Sequence, residues 1–248
     1  RILELKAMRG PNYWSVKRHN LIVMRLDIED LEQKPTDKIP GFYERITTLL
    51  PTMVSHRCSE DHEGGFWERV KRGTWMGHVI EHIALEIQTL AGMETGFGRT
   101  RSTRENGVYN VVFSYIEEPV GMFAAKAAVR IAEALISGEK YDLADDLQKM
   151  RELREESRLG PSTGSIVAEA VSRGIPYLRL NGQSLVQLGH GIHQQFTPLA
   201  DDPLNEHVLQ RGQLAGTQQR IVAMNLGNQT LLRRNGQHTG PFNTQNAG

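Results

Sequence analysis

The sequence predicts an α+β fold, a mixed β-sheet covered by helices, and three observations carry that expectation. Short runs of β-forming residues recur near 1–8, 20–27 and 109–116. Longer runs with helical spacing lie between and after them, the strongest at 74–93. Glycine or proline marks several of the changes in period.

Residues 1–8 alternate apolar and polar and stop at Gly10-Pro11, the pattern of an edge strand entering a loop. That loop, Gly10-Pro-Asn-Tyr-Trp-Ser15, sets two aromatic residues beside Arg9, Lys17 and Arg18. Tyr13 and Trp14 read as packing residues rather than a stacking platform. Leu21-Ile-Val-Met-Arg-Leu26 is short and largely apolar, hence a second strand over 20–27. Phe42, Ile46, Leu49 and Leu50 fall at helical spacing, and Pro51 ends that helix. The polar, glycine-containing stretch from His56 to Gly65 reads as a loop.

The best helix spans 74–93, with Thr74 as the expected N-cap and Met76, Ile80, Ile83, Ile87 and Leu90 along one face. Gly92 and Gly96-Phe-Gly98-Arg99 break it. Val111, Val112 and Phe113 mark a strand over 109–116, and Pro119 opens a helix to about Ile136. A charged segment over 142–156 reads as a solvated linker helix, which places a domain boundary near 158. A loop at 159–163 leads to a helix over 166–172 and a strand over 175–180. From Phe196 onward the chain is rich in glutamine, asparagine and glycine, and a weakly ordered tail is expected over 196–248.

Composition narrows the function. The 248 residues carry 29 lysines plus arginines and 29 aspartates plus glutamates, so nucleic acid held by bulk positive charge is not expected. With 39% hydrophobic and 23% charged residues the chain is globular in composition. Its single cysteine, Cys58, cannot form an internal disulfide, and no apolar run approaches the length of a membrane span. A cytoplasmic protein without a membrane partner is the expectation. The start at Arg1 rather than methionine reads as a trimmed or fragmentary chain.

The sharpest motif is His78-Val-Ile-Glu81-His82. On a helix, residues four apart lie about 40° from one another, so both imidazoles leave one face with Glu81 on the flank. Two such histidines can chelate Zn²⁺, and the glutamate can take a proton from bound water. The spelling is that of inverzincins. A third ligand is required. Glu118 leads the candidates, with Glu117, Glu133, Asp145 and Asp146 behind it. The competing reading makes His78 and His82 structural, hydrogen-bonded at the edge of the core. His56, Cys58 and His62 form a second cluster, without the paired spacing of a zinc site. Gly96-Phe-Gly-Arg-Thr-Arg101 suits carboxylate capture, and Arg9, Arg99 and Arg101, with Lys17 and Arg18, are candidates to hold an acidic polymer. No serine triad or cysteine–histidine pair is visible.

Several blocks in order resemble the N-terminal part of the cyanophycin synthetase family. They are Arg9-Gly-Pro-Asn-Tyr-Trp-Ser15, Ile39-Pro-Gly-Phe-Tyr43, Gly64-Gly-Phe66, Met76-Gly-His-Val-Ile-Glu-His82, Gly96-Phe-Gly-Arg-Thr-Arg101 and Tyr109-Asn-Val-Val-Phe113. Leu159-Gly-Pro-Ser-Thr163 and Val186-Gln-Leu-Gly189 follow. The resemblance implies an ATP-dependent ligase that extends poly-aspartate and attaches arginine to its side chains, using ATP and Mg²⁺ in the full-length enzyme. It implies a family-like N-terminal domain over 1–158 and the opening segment of an ATP-grasp domain over 159–195, with 196–248 divergent. The lysines, lid and magnesium acids of an ATP-grasp site have no counterpart, so a truncated chain unable to ligate alone is expected. The family's N-terminal domain is thought to hold the growing polymer. In some members it resembles a metallopeptidase that cuts the polymer into primers, and that role falls here on His78, Glu81 and His82. The first expectation is therefore a cyanophycin-binding module. The second is a zinc-dependent hydrolase, and the third a scaffold that oligomerises the enzyme.

Overall fold

The computed structural model describes residues 1–17, 20–182 and 184–197. Four strands form the main sheet: β1 (Ile2–Met8), β2 (Leu21–Asp27), β3 (Gly98–Ser102) and β4 (Val108–Ser114). Their order is β1-β2-β4-β3, and every pairing is antiparallel. The fold is α+β as expected, but this sheet is antiparallel rather than mixed. For two of the three pairings the reason is topological: β1 and β2 are joined by a loop and β3 and β4 by a short turn, so neither pair has the long crossover that parallel strands need. The Gly96–Arg101 segment, whose residue types suit carboxylate capture, is for the most part strand β3.

Six helices are described: α1 (Phe42–Leu49), α2 (Gly65–Arg72), α3 (Met76–Leu90), α4 (Glu118–Ser137), α5 (Leu143–Ser157) and α6 (Pro161–Ser172). Helices α3 and α4 cover one face of the sheet, where Ile22, Met24, Leu26, Val111 and Phe113 meet Phe42, Phe66, Ile83 and Ile131 in one core. The opposite face buries a smaller group, Leu21, Val23 and Val112, beneath Met8, Trp14 and Phe97. That is why β2 and β4 read as continuous apolar runs: both of their faces are covered.

Alanines at 124, 125, 127, 128 and 132 let α4 approach its neighbours closely, and all five are buried. Gly121 marks the tightest point, since a Cβ there would lie 2.7 Å from Tyr115 Cβ and 3.0 Å from Ile22 Cγ1. Gly121→Ala is therefore expected to cost about 1–3 kcal/mol through overpacking, read as a lower urea midpoint with an unchanged slope. An unchanged midpoint would show that α4 can shift freely.

Helix α5 is not the solvated linker that its charge suggests. Met150 is wholly buried, and Leu143, Leu147 and Leu153 pack against the main core. This narrow apolar row is submerged in a high charge count, and so escapes a reading by composition. Asp142 caps the helix by accepting from the Ala144 amide. Beyond α5 come α6 and a small antiparallel sheet of β5 (Tyr177–Arg179), β6 (Val186–Leu188) and β7 (Gln195–Thr197). Phe196 and Thr197 thus sit in a strand, past the expected start of the weakly ordered tail. The remainder of that expectation, 198–248, lies outside the described residues. Among the described residues, no helix is long and apolar enough to cross a membrane.

Candidate functional site

Helix α3 begins at Met76, two residues later than Thr74, and the expected N-cap has another task. No side chain caps α3, and Thr74 Oγ1 lies 3.0 Å from His78 Nδ1. One turn on, His82 is buried, with its ring 4.7 Å from that of His78 and nearly perpendicular to it. Phe66 of α2 stacks on His82 at 4.2 Å and meets His78 edge-on at 5.9 Å. Sequence reading did not foresee α2. Its eight residues put Phe66, Trp67 and Val70 on the core and four charged residues outside, too few turns for a clear period.

The loop before α2 completes the cluster. Cys58, at a left-handed φ of 56°, places Sγ 3.3 Å from His78 Nε2. One ligand atom each from Cys58, His78 and His82 lie within 4.8 Å of one another. His56 Nδ1 is 2.9 Å from His82 Nδ1, and His56 Nε2 is 2.7 Å from Glu86, which also accepts from Thr52. These contacts constrain the tautomers. With His56 neutral and donating Nε2–H to Glu86, its Nδ1 can only accept, so His82 donates Nδ1–H and keeps a lone pair on Nε2. His78, donating Nδ1–H to Thr74, likewise keeps its Nε2 lone pair on the side of Cys58. Burial and the nearby Arg69 charge depress the His78 pKa to about 4, and burial holds His82 well below its ordinary value, with His78, His56 and Arg69 adding to the effect. Both imidazoles are neutral at pH 7, the state in which histidine binds metal.

Glu81 leaves the flank of α3 toward β3. Its Oε2 lies 2.6 Å from Thr100 Oγ1, and Thr100 Oγ1 is also 3.3 Å from the Gly77 carbonyl. A hydroxyl has one proton, so Thr100 donates to an ionised Glu81 or, when Glu81 is protonated, to Gly77. Burial pushes the Glu81 pKa up to about 7, against the opposing Thr100 hydrogen bond and the charges of Arg101, Arg69 and Arg99. Glycine at 98 leaves room for this carboxylate, since a Cβ there would overlap Glu81 Oε1 and force the Glu81 side chain to move. Burial raises the Glu86 pKa as well, but hydrogen bonds from His56 and Thr52, with the His56 charge, outweigh it and leave it lowered.

These groups line one cavity of about 860 Å³ that His78, Glu81 and His82 share with Cys58, Arg69, Arg99 and Arg101. Thr100 pairs with Val111 and turns toward α3. The alternation of a strand therefore sends the Arg99 and Arg101 side chains to the opposite sheet face, where Arg99 donates to the Trp14 carbonyl at 3.0 Å. Both arginines stand at the cavity rim and are exposed.

Glu118 is not beside the histidines. Arg9 grips its carboxylate through two hydrogen bonds of 2.5 and 2.6 Å, with Tyr115 adjacent, in a separate cavity of about 810 Å³. The Arg9 hydrogen bonds, followed by its charge, pull the Glu118 pKa down against burial. Register explains the separation. Gly77 lies over Tyr109, while Gln88 bonds the Ser114 carbonyl, so α3 and β4 run in the same direction. Residues after Ser114 emerge about 9 Å along α3 from His82, six residues at about 1.5 Å each. On this geometry Glu118 is an ion-pair partner of Arg9 and lies away from the histidines, and Arg9 stands apart from the Arg99–Arg101 rim. The remaining acidic candidates are elsewhere too. Glu117 faces Arg179 at 3.8 Å, Asp146 is held by Arg130 and Tyr141, and neither Glu133 nor Asp145 lines the histidine cavity. His62 pairs with Glu68 at 3.6 Å, outside the cavity, and so does not join His56 and Cys58.

Comparison with known proteins gives a consistent set of likenesses. Residues 23–137 match the family model described as a cyanophycin synthase-like N-terminal domain. Over 198 residues the chain is 52% identical to the cyanophycin synthetases of Geminocystis herdmanii and of a Synechocystis species, covering 79% of this chain and 23% of each of those proteins. It is 50% identical to that of Crocosphaera subtropica over the same length. The chain thus spans about a quarter of the length of the relatives it matches.

Proposed function

Through residues 23–137 the chain belongs to the cyanophycin synthase-like N-terminal domain family, and on that premise we propose that it holds cyanophycin, multi-L-arginyl-poly-L-aspartate, as a substrate-positioning module. The observation that carries this reading is the 860 Å³ cavity, open along β3 and rimmed by Arg69, Arg99 and Arg101. A polymer of aspartate meets guanidinium groups there, and charge-assisted hydrogen bonds to carboxylates are stronger than neutral ones. In this reading 1–158 is the holding module and 159–195 opens the neighbouring ATP-grasp part. ATP and Mg²⁺ serve ligation elsewhere in full-length family chains.

The test is co-sedimentation with insoluble cyanophycin in the presence of a chelator. Retention of the chain, weakened about tenfold by the double variant Arg99→Ala/Arg101→Ala, is the expected result. Failure to sediment would overturn it.

A second reading, a zinc-dependent hydrolase of the same polymer, is favoured by one specific observation: Cys58, His78 and His82 converge with neutral imidazoles and a thiol, a donor set that suits Zn²⁺. Cys58 takes the place in the set that Glu118 cannot fill. Thr74 and His56 orient the two rings from behind, and Glu81 stands where it can hold or release a proton. A bound zinc would supply a Lewis acid and an activated water. Metal content by mass spectrometry, paired with release of soluble peptide from cyanophycin, separates the readings. About one zinc per chain, with release lost in Glu81→Gln while zinc stays, supports hydrolysis. Absence of release removes it and leaves the holding module.

A further inference from the structure

We infer that the open edge of β3 takes an extended stretch of acidic polypeptide as an added strand, a proposal that rests on the polymer-holding reading and specifies how the polymer is held. Among the described residues β3 pairs with β4 on one side only, so it ends the sheet that they form. Ser114 donates to the Phe97 carbonyl and Thr103 to the Val108 carbonyl. In an antiparallel pair this fixes the parity: Arg99 and Arg101 bond inward to β4, and the N–H and C=O groups of Gly98, Thr100 and Ser102 point outward. The outward groups lie along the cavity mouth, since Gly98 and Thr100 line it beside Glu81.

The opposite edge of the sheet shows what a protected edge is like. The outer strand β1 breaks register between Ile2 and Glu4, a bulge of the kind that blunts strand addition, and its residues line neither large cavity apart from the sheet. β3 keeps an unbroken register over all five residues. Arg99 turns away to the Trp14 carbonyl, and Arg101 Nη1 makes only a long 3.5 Å contact with the outward Thr100 carbonyl, which an added strand would displace. A strand laid along β3 would send alternate side chains to the two faces. One set would enter the cavity beside Glu81 and the histidines, and the other would meet Arg99 and Arg101. Main-chain hydrogen bonds give such an interaction its affinity and alternate pockets its selectivity. The charge complementarity at the rim selects carboxylate-bearing chains.

The experiment uses the full chain and two probes of equal charge, a deca-L-aspartate peptide and the same peptide N-methylated at every amide. Binding is followed by fluorescence anisotropy and by amide hydrogen exchange. The expected result is exchange slowed about tenfold or more at Gly98, Thr100 and Ser102 with the plain decamer. Affinity falls about tenfold or more on N-methylation. Ser102→Pro, which removes one outward donor at an exposed edge position, should weaken the decamer with no change in melting temperature. Binding of the plain decamer with those amides unprotected and N-methylation without effect would overturn the edge and leave the holding module standing. Cyanophycin binding without decamer binding overturns the edge as well. Loss of both takes the polymer-holding reading with it.

Discussion

Phe66→Ala is expected to destabilise the protein by about 3–5 kcal/mol, the range for emptying a buried aromatic position. Phe66 is wholly buried, and its ring touches the catalytic-candidate helix as well as the core: it stacks on His82, meets His78 edge-on and lies 5.3 Å from Trp67. Its removal therefore does two things at once. A cavity opens under α2, and the two imidazoles lose the surface that fixes their rotation. Phe66→Leu, which keeps most of the volume, should cost under about 1.5 kcal/mol and yet loosen the rings, because only the flat face is lost. Urea unfolding measures the first effect, and long-range nitrogen–proton correlation spectra of the histidine rings measure the second. A cost below about 1 kcal/mol for Phe66→Ala would mean that the site collapses to fill the gap. Unchanged ring tautomers in both variants would show that Thr74 and His56 alone orient the pair.

This dependence on Phe66 illustrates what was legible in the sequence. The 3.6-residue period made α3 and the shared face of His78 and His82 readable, since both follow from spacing within one helix. The α+β class was readable from the β-forming runs, as were the helix after Pro119 and the family resemblance. What the sequence concealed are contacts between elements. Cys58 reaches His78 across a loop-to-helix junction that only the packing of α2 defines, and nothing in the spacing of His56, Cys58 and His62 distinguishes the residues that join the cluster from the one that does not. Glu118 was placed at the correct element boundary but at the wrong end of α3, because the relative direction of a helix and a strand is a tertiary property. The edge position of β3 was hidden for a related reason. Gly96 and Gly98 are the residues of a loop by propensity, yet Gly98 sits in a strand, where the Glu81 carboxylate occupies the space of a side chain.

The stability of the chain should depend on pH in a way that isolates Glu81. Its folded-state pKa of about 7 lies above the ordinary 4.5, because burial penalises the carboxylate. A raised acid stabilises the fold fully below pH 4.5, and that contribution is lost as pH climbs toward 7. His78, depressed to about 4, and His82, also depressed, act in the opposite sense. Their contribution is complete above pH 6.5 and is lost on acidification, because the unfolded chain takes up protons that the buried rings refuse. Between pH 4.5 and 6.5 two histidines gain while one glutamate loses, so stability should rise by about 1.4 kcal/mol per pH unit at most from these groups, and then turn over near pH 6.5. Glu81→Gln removes only the declining part. The difference in unfolding free energy between variant and parent should therefore grow by about 3 kcal/mol from pH 4 to pH 8 in favour of glutamine, a value set by the shift of Glu81 alone. Contributions from Glu118, lowered by Arg9, and from Glu117, raised chiefly by burial, are common to both proteins and cancel in that difference. Parallel stability curves would show that Glu81 ionises normally in the fold. A diverging pair would establish that Glu81 is part protonated and part ionised in the fold at neutral pH. The cavity would then hold a carboxyl group poised to give or take a proton beside the open edge of β3.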